Sequence, residues 1–157
     1  MTPGRAAILL TGATGYIGSH TWLALLAAGY RVVGIDDFSN SSPEVLERLR
    51  RLAGSTSAFE RGDVRDGALL DRVFARERIA AVVHFAAFKA VGESTQRPLD
   101  YYANNLGSLI TLAQAMRRYG CGALVFSSSA TVYGRLNFAS EGPLGRAVAP
   151  HNWSATA

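Results

Sequence analysis

The residues best placed to do chemistry lie in a glycine-spaced run, Thr11-Gly12-Ala13-Thr14-Gly15-Tyr16-Ile17-Gly18, directly after the apolar stretch Ala6 to Thr11. A continuous apolar run ending in a glycine loop is the pattern of a strand buried on both faces. Gly12 and Gly15 allow a tight turn and let main chain approach a bulky diphosphate, and Gly18 permits close packing of the following helix on the strand. That helix, Tyr16 to Ala28, would aim unpaired N–H groups and its positive dipole end at the phosphates. A glycine turn alone is a weak signal; here a strand precedes it, a helix follows and an acid stands downstream. Asp36 closes the apolar segment Arg31 to Ile35, 18 residues beyond Gly18, near the ~20 expected for a carboxylate that binds the adenosine ribose of a dinucleotide. Asp36 and Asp37 together would repel a 2′-phosphate, and no arginine follows in the next two positions. The pattern therefore calls for NAD rather than NADP. The bland alternative, aspartates that only cap a turn, fits their placement less well.

The remaining chain supplies the elements that would position these groups. Ser42 before Pro43 predicts a helix start, with the helix running to about Leu52. A short strand near Ala58 to Arg61 leads into Gly62-Asp63-Val64, followed by a helix from about Gly67 to Arg76. Ala80 to Phe85 reads as a fourth strand, Pro98 to Tyr119 as a long helix closed by Gly120, and Gly122 to Ser127 as a fifth strand. Strands separated by helices of this length require crossovers and a parallel sheet covered on both faces. The expected fold class is therefore α/β, a doubly wound Rossmann-type sheet in a single domain over residues 1–157, regular from about 6 to 134 and without clear periodicity from 135 to 157.

Composition narrows the function classes. At 157 residues the chain is one domain's worth. The net charge of +4 comes from scattered arginines, which argues for solvated helix faces and against nucleic acid. A single cysteine, Cys121, excludes a disulfide framework and suits a reducing compartment; it reads as a small packed residue near a strand start. No apolar run approaches the ~20 residues of a membrane span, so a cytoplasmic location is expected. His20 and His84 read as structural, and no metal-ligand spacing joins His20, His84, His151 and Cys121. Lys89 is the only lysine among the 16 basic residues, which points to a specific need for a compact ammonium near a ribose or phosphate.

Six segments stand in order along the chain: TGATGYIGSHT from Thr11, GIDDFSNSS from Gly34, RGDVRD from Arg61, HFAAFKAVGES from His84, YYANNLGSL from Tyr101 and FSSSATVYG from Phe126. Together they resemble the UDP-glucose 4-epimerases of the extended short-chain dehydrogenase/reductase (NAD-dependent epimerase/dehydratase) family. Dehydratases of the same family carry an Asp-Glu pair before V-Y-G, where this chain has Ala130 and Thr131. The resemblance implies interconversion of UDP-galactose and UDP-glucose through a 4-keto intermediate with bound NAD, a UDP-hexose substrate and a homodimer in the full-length form. It further implies Tyr16 and Ile17 against the diphosphate, and Asp36, Asp37 and Asn40 around the adenosine. Asp63 and Val64 would flank the adenine, and Phe85, Ala86 and Lys89 would line the middle and nicotinamide end. Asn104 would be a polar anchor near the active site, and Ser129 the catalytic serine that hydrogen-bonds the oxidised hydroxyl.

The resemblance breaks where the family places Y-x-x-x-K. Its tyrosinate removes the sugar proton, and its lysine lowers the tyrosine pKa and holds the ribose. Here His151 stands at the tyrosine position and Ala155 at the lysine position, and the residue four before the lone Lys89 is Phe85. A truncated chain, a misread tail and a non-catalytic relative all account for this, the intact Ser129 segment favouring the first two. The expectation is a chain without a substrate-binding lobe, inactive by itself, whose long helix and fifth strand lack neighbours. The alternative is a non-catalytic NAD-binding module that acts through partner contacts.

The acid pair carries a first prediction: calorimetric titration should find NAD bound more tightly than NADP, with Asp36→Ala eroding the difference. Equal affinity of the parent chain for both cofactors would sink it.

Overall fold

A computed structural model describes residues 6–54 and 58–128. The strands are β1 (Ala7–Thr11), β2 (Arg31–Asp36), β3 (Ala58–Arg61), β4 (Ile79–His84) and β5 (Ala123–Phe126). The helices are α1 (Tyr16–Ala27), α2 (Glu44–Ala53), α3 (Gly67–Arg76), α4 (Val91–Gln96) and α5 (Pro98–Arg118). All strand pairs are parallel and the sheet order is β3-β2-β1-β4-β5. The expected doubly wound sheet is thus observed. The order reverses direction between β1 and β4, which creates the crevice where open α/β sheets receive ligands.

The helix ends follow local chemistry. Asp66 caps α3 by accepting from the Ala68 and Leu69 amides at 2.9 and 3.1 Å. Pro98 sits at the start of α5, where its missing N–H has no cost. At α2 the boundary differs by a residue from the sequence expectation. Pro43 already has helical dihedrals and is itself the cap position, while the Ser42 hydroxyl accepts from the Glu44 amide at 3.3 Å. The short helix α4 was not expected, because its six residues are too few for hydrophobic periodicity to show.

Buried side chains fill both faces of the sheet. On one face Leu9, Val33, Ile35 and Val82 meet Leu69, Leu70, Val73 and Phe74 from α3 and Leu112, Ala115 and Met116 from α5. On the other, Leu10, Val32 and Val83 meet Trp22 of α1 and Leu49 of α2. Gly34 makes room for Trp22, since a Cβ there would lie 2.3 Å from the indole ring. Cys121 is buried two residues before β5, as the sequence suggested, and burial pushes its thiol up.

The far edge is less covered. β5 pairs with β4 alone among the described residues, and all of its residues are exposed, Val125 at 60%. Along α5, Leu99, Tyr102, Leu106 and Ile110 form an exposed apolar stripe at helical spacing. Both are the segments expected to lack neighbours. Unpaired strand edges template association. Light scattering should therefore show concentration-dependent self-association of the chain, reduced in Val125→Lys. A sharply melting monomer that stays folded well above the usual mesophile range of about 45–65 °C would contradict this.

Candidate functional site

The phosphate loop is shaped by contacts that admit no side chain. Gly12 has φ +65°, and a Cβ on it would lie 2.8 Å from the Ala86 nitrogen and 2.9 Å from the Phe85 carbonyl carbon. A Cβ on Gly18 would fall 2.0 Å from the Gly12 oxygen. The glycines thus press the loop against the segment after β4 and the helix against the loop, as their spacing implied. Gly15 caps α1 with no side-chain hydrogen bond, and no acid occupies the first turn. The first-turn amides of α1 are left for another acceptor, and the dipole there favours an anion. Tyr16, 82% exposed, and Ile17 stand at the same opening.

A cleft of about 340 Å³ opens along the carboxyl edge of the sheet. Every expected cofactor residue lines it: Gly12, Gly15, Tyr16, Ile17 and Gly18 after β1, Asp36, Asp37 and Asn40 after β2, Asp63 and Val64 after β3, Phe85, Ala86 and Lys89 after β4, and Asn104 on α5. Ser39, Ser41, Ser108 and Ser127, which sequence reasoning passed over, join them. Ser129, His151 and Ala155 lie outside the described residues.

Asp36 turns out to be both ligand candidate and structural staple. It is 8% exposed. Its Oδ1 accepts from the Phe38 amide at 2.9 Å and the Ser41 hydroxyl at 3.1 Å, and its Oδ2 accepts from the Thr14 amide at 3.0 Å. It therefore ties the phosphate loop to the loop after β2, an arrangement reinforced by Thr14 Oγ1 and Ser41 Oγ at 2.7 Å. With roughly four lone-pair sites on a carboxylate, Oδ2 retains room for another donor. Asp37 also caps a turn, accepting from the Ser39 amide at 2.8 Å, yet remains exposed. The turn-capping and cofactor-facing readings are compatible. Phe38, directly after the two aspartates, sits at φ +63°, a conformation costing a bulky residue about 1–3 kcal/mol. Its ring is clasped by Phe59 at 5.4 Å and by the Arg61 guanidinium at 5.5 Å. No sequence signal marks it.

Asp63 meets a competing partner. Arg65 donates to both of its oxygens, Nε to Oδ1 at 3.1 Å and to Oδ2 at 2.9 Å and Nη2 to Oδ2 at 2.5 Å, and this hydrogen bonding holds the carboxyl below its ordinary range despite partial burial. The carboxylate is ionised and oriented at the cleft wall.

The segment after β4 is fastened by a residue that went unnoticed. Asn105, not Asn104, accepts from the Phe88 amide at 2.8 Å and donates to the Phe88 carbonyl at 3.1 Å. Asn104 lines the cleft and donates to Asn105 at 3.0 Å. The repeated Asn-Asn gave no sign of which member does which task.

His84 is structural, as read. It is buried against Thr11, with Nδ1 and Oγ1 at 2.6 Å. His20 is held by its own helix, Nδ1 at 2.8 Å from the Tyr16 carbonyl oxygen. Among the described residues no group of His, Cys, Asp and Glu could hold a metal ion, and no helix is long and apolar enough to cross a membrane.

These features define a dinucleotide-binding, doubly wound domain with its cleft at the topological switch point. The chain belongs to the NAD dependent epimerase/dehydratase family, whose model matches residues 8–153. It is 47% identical over 150 residues to a UDP-glucose 4-epimerase of Neisseria meningitidis serogroup A, covering 94% of this chain and 44% of the relative. To UDP-glucose 4-epimerase 1 of Oryza sativa it is 55% identical over 130 residues, covering 81% and 37%. Its fold is similar to that of UDP-glucose 4-epimerase from Bifidobacterium longum in complex with NAD+ and UDP, with TM-score 0.80 and 47% identity over 82% of this chain and 38% of that one. The enzyme from Stenotrophomonas maltophila, solved with NAD and formylated UDP-arabinopyranose, gives TM-score 0.82 at 42% identity over 86% and 40%. The chain thus spans less than half the length of these relatives.

Burial lowers the His84 pKa to about 4 from 6.5, with a smaller contribution from the Lys89 charge. The unfolded chain takes up this proton near pH 6.5 and the folded chain refuses it until about 4, so stability falls as pH drops through that window. Urea unfolding at pH 7 and pH 5 should differ by about 2 kcal/mol. The depressed carboxylates Asp63 and Glu77, with ordinary values of 3.8 and 4.5, lose their contribution mainly below this window. Stability that is flat between these pH values would contradict the assignment.

Proposed function

We propose that the chain is the NAD-binding half of a UDP-glucose 4-epimerase and that residues 1–157 alone do not turn over substrate. The observation carrying the first part is the tie between Asp36 and the glycine loop, which sets a ribose acceptor and a phosphate cradle at one cleft. The residues present fit the cofactor. The loop glycines let main chain close up beside the opening, the first-turn amides of α1 face it, and one lone-pair site of Asp36 is left for a ribose hydroxyl. The second ribose hydroxyl then falls to exposed Asp37 or to Asn40. The ionised Asp63 accepts from the adenine amine, Val64 packs against the ring, and Lys89 places its charge near the nicotinamide ribose. When bound, NAD supplies a reversible hydride acceptor for the sugar.

This chain's contribution to the chemistry is then positioning. Phe85 and Ala86 form a wall at the middle of the cleft, Asn104 anchors its far side, and Ser129 hydrogen-bonds the sugar hydroxyl. UDP-hexose binding and pairing of two copies, which the exposed α5 stripe supports, belong to the full-length form.

His151 and Ala155 in place of the tyrosine and lysine support the second part. A neutral imidazole can accept a proton, but position 155 holds alanine where the family places its lysine. Orienting substrate and base contributes about 7–11 kcal/mol to lowering such a barrier, which a lone substituted base does not recover. These substitutions also favour a second reading, a non-catalytic NAD-binding module working through partner contacts.

The test is conversion of UDP-galactose to UDP-glucose by the purified 157-residue chain with NAD. No turnover is expected. Replacing the segment from Ala149 with P-Y-G-R-S-K and a homologous second lobe should restore activity, and Ser129→Ala in that chimera should depress it. Parent turnover comparable to the chimera's would overturn the assignment of catalytic residues, and a well-folded but inactive chimera would favour the non-catalytic reading.

A further inference from the structure

Thr11 and His84 are register partners at the carboxyl ends of β1 and β4, the strands that flank the switch point. Both are buried, His84 at 2% exposure. Valine and leucine surround them in the same strands, and an apolar pair would fill the site without the cost of burying polar groups. A polar pair at such a position adds direction, and the direction is visible in what it touches. Thr11 Oγ1 lies 2.6 Å from His84 Nδ1 and accepts from the Ala86 amide at 3.4 Å, while the Thr11 carbonyl accepts from the Phe85 amide at 3.1 Å. The opposite strand contributes as well: the His84 ring stacks on Phe126 at 5.9 Å, and its carbonyl accepts from the Ser127 amide at 3.4 Å.

We propose that the Thr11–His84 pair is a positioning device for the cofactor cleft, a relay from the Ala86 amide through the Thr11 hydroxyl to His84 Nδ1 that holds the segment Phe85–Lys89 at its contact with Gly12. This rests on the reading of the cleft as a dinucleotide site. The relay as proposed has one polarity. In it Oγ1 accepts from Ala86 and donates its own proton to Nδ1, and the ring carries its proton on Nε2. A charged imidazole carries an N–H at Nδ1 as well and can no longer accept from the Thr11 hydroxyl. Burial keeps the ring neutral and so leaves it one nitrogen able to accept. One residue beyond Thr11, Gly12 leaves only 2.8 Å between a built Cβ and the Ala86 nitrogen. A small displacement of Ala86 would therefore either close on the phosphate loop or open the cleft wall. Neither residue touches the cleft itself, since neither is among its lining residues.

Two measurements test this. Thr11→Val keeps the volume and removes the hydroxyl; Thr11→Ser keeps the hydroxyl; His84→Asn keeps an acceptor near Nδ1. Titration with NAD should show Thr11→Val weakened about tenfold, the scale of a directed hydrogen bond, with its melting temperature within a few degrees of the parent. Thr11→Ser should bind within about threefold of the parent, a loss smaller than one hydrogen bond is worth. Nitrogen-15 spectra of the His84 ring should show the proton on Nε2, independently of any cofactor. A proton on Nδ1 would overturn the relay even if Thr11→Val fails to fold. So would a folded Thr11→Val that binds NAD as the parent does, with the cofactor reading left standing. A folded parent that does not bind NAD would overturn that reading first and this inference with it.

Discussion

The structure depends on a place where two strands end too close together for a side chain. Gly12 follows β1, Ala86 follows β4 by two residues, and a Cβ on the glycine would lie 2.8 Å from the alanine nitrogen. Because that gap is closed by main chain, the phosphate loop and the segment after β4 share one wall, and the cleft between them has a defined width. Gly18 carries the constraint onward by seating α1 on the Gly12 carbonyl, which aims the helix N-terminus at the same opening.

Around this contact the molecule places polar groups that join one segment to another. Asp36 joins the loop after β2 to Thr14. Thr11 joins β1 to His84 of β4 and to the Ala86 amide beyond it. Asn105 joins α5 to both polar groups of Phe88. Such groups are costly to bury unless paired and specify geometry once paired. Their concentration at the carboxyl edge, against the purely apolar clusters on the two sheet faces, separates the part of the molecule that sets shape from the part that supplies stability.

The strands and long helices were legible because each is a run whose hydrophobic pattern has one solution. Ala7–Thr11 is a short apolar run cut off by a glycine turn, too short for a helix, and Pro98–Arg118 announces its start with a proline. The glycines were legible because close approach excludes every other residue type. Tertiary partners were not. Nothing in the sequence says that Arg65 will clasp Asp63, that Phe38 will adopt a left-handed backbone under Phe59 and Arg61, or that the second of two asparagines will hold the Phe88 loop. These depend on which segments the fold brings together, which composition and spacing do not encode. The short helix α4 was missed for the opposite reason, being too brief to show a period.

The central claim, that a dinucleotide lies along the carboxyl edge between the glycine loop and the segment after β4, is tested most directly by amide chemical-shift mapping of the chain titrated with NAD. The account predicts saturable shifts concentrated at Gly12 to Gly18, Asp36 to Ser41, Asp63 and Val64, and Phe85 to Lys89, with the amides of α2 and the outer face of α5 unmoved. A folded chain whose spectrum does not change with NAD, or changes away from that edge, would contradict it.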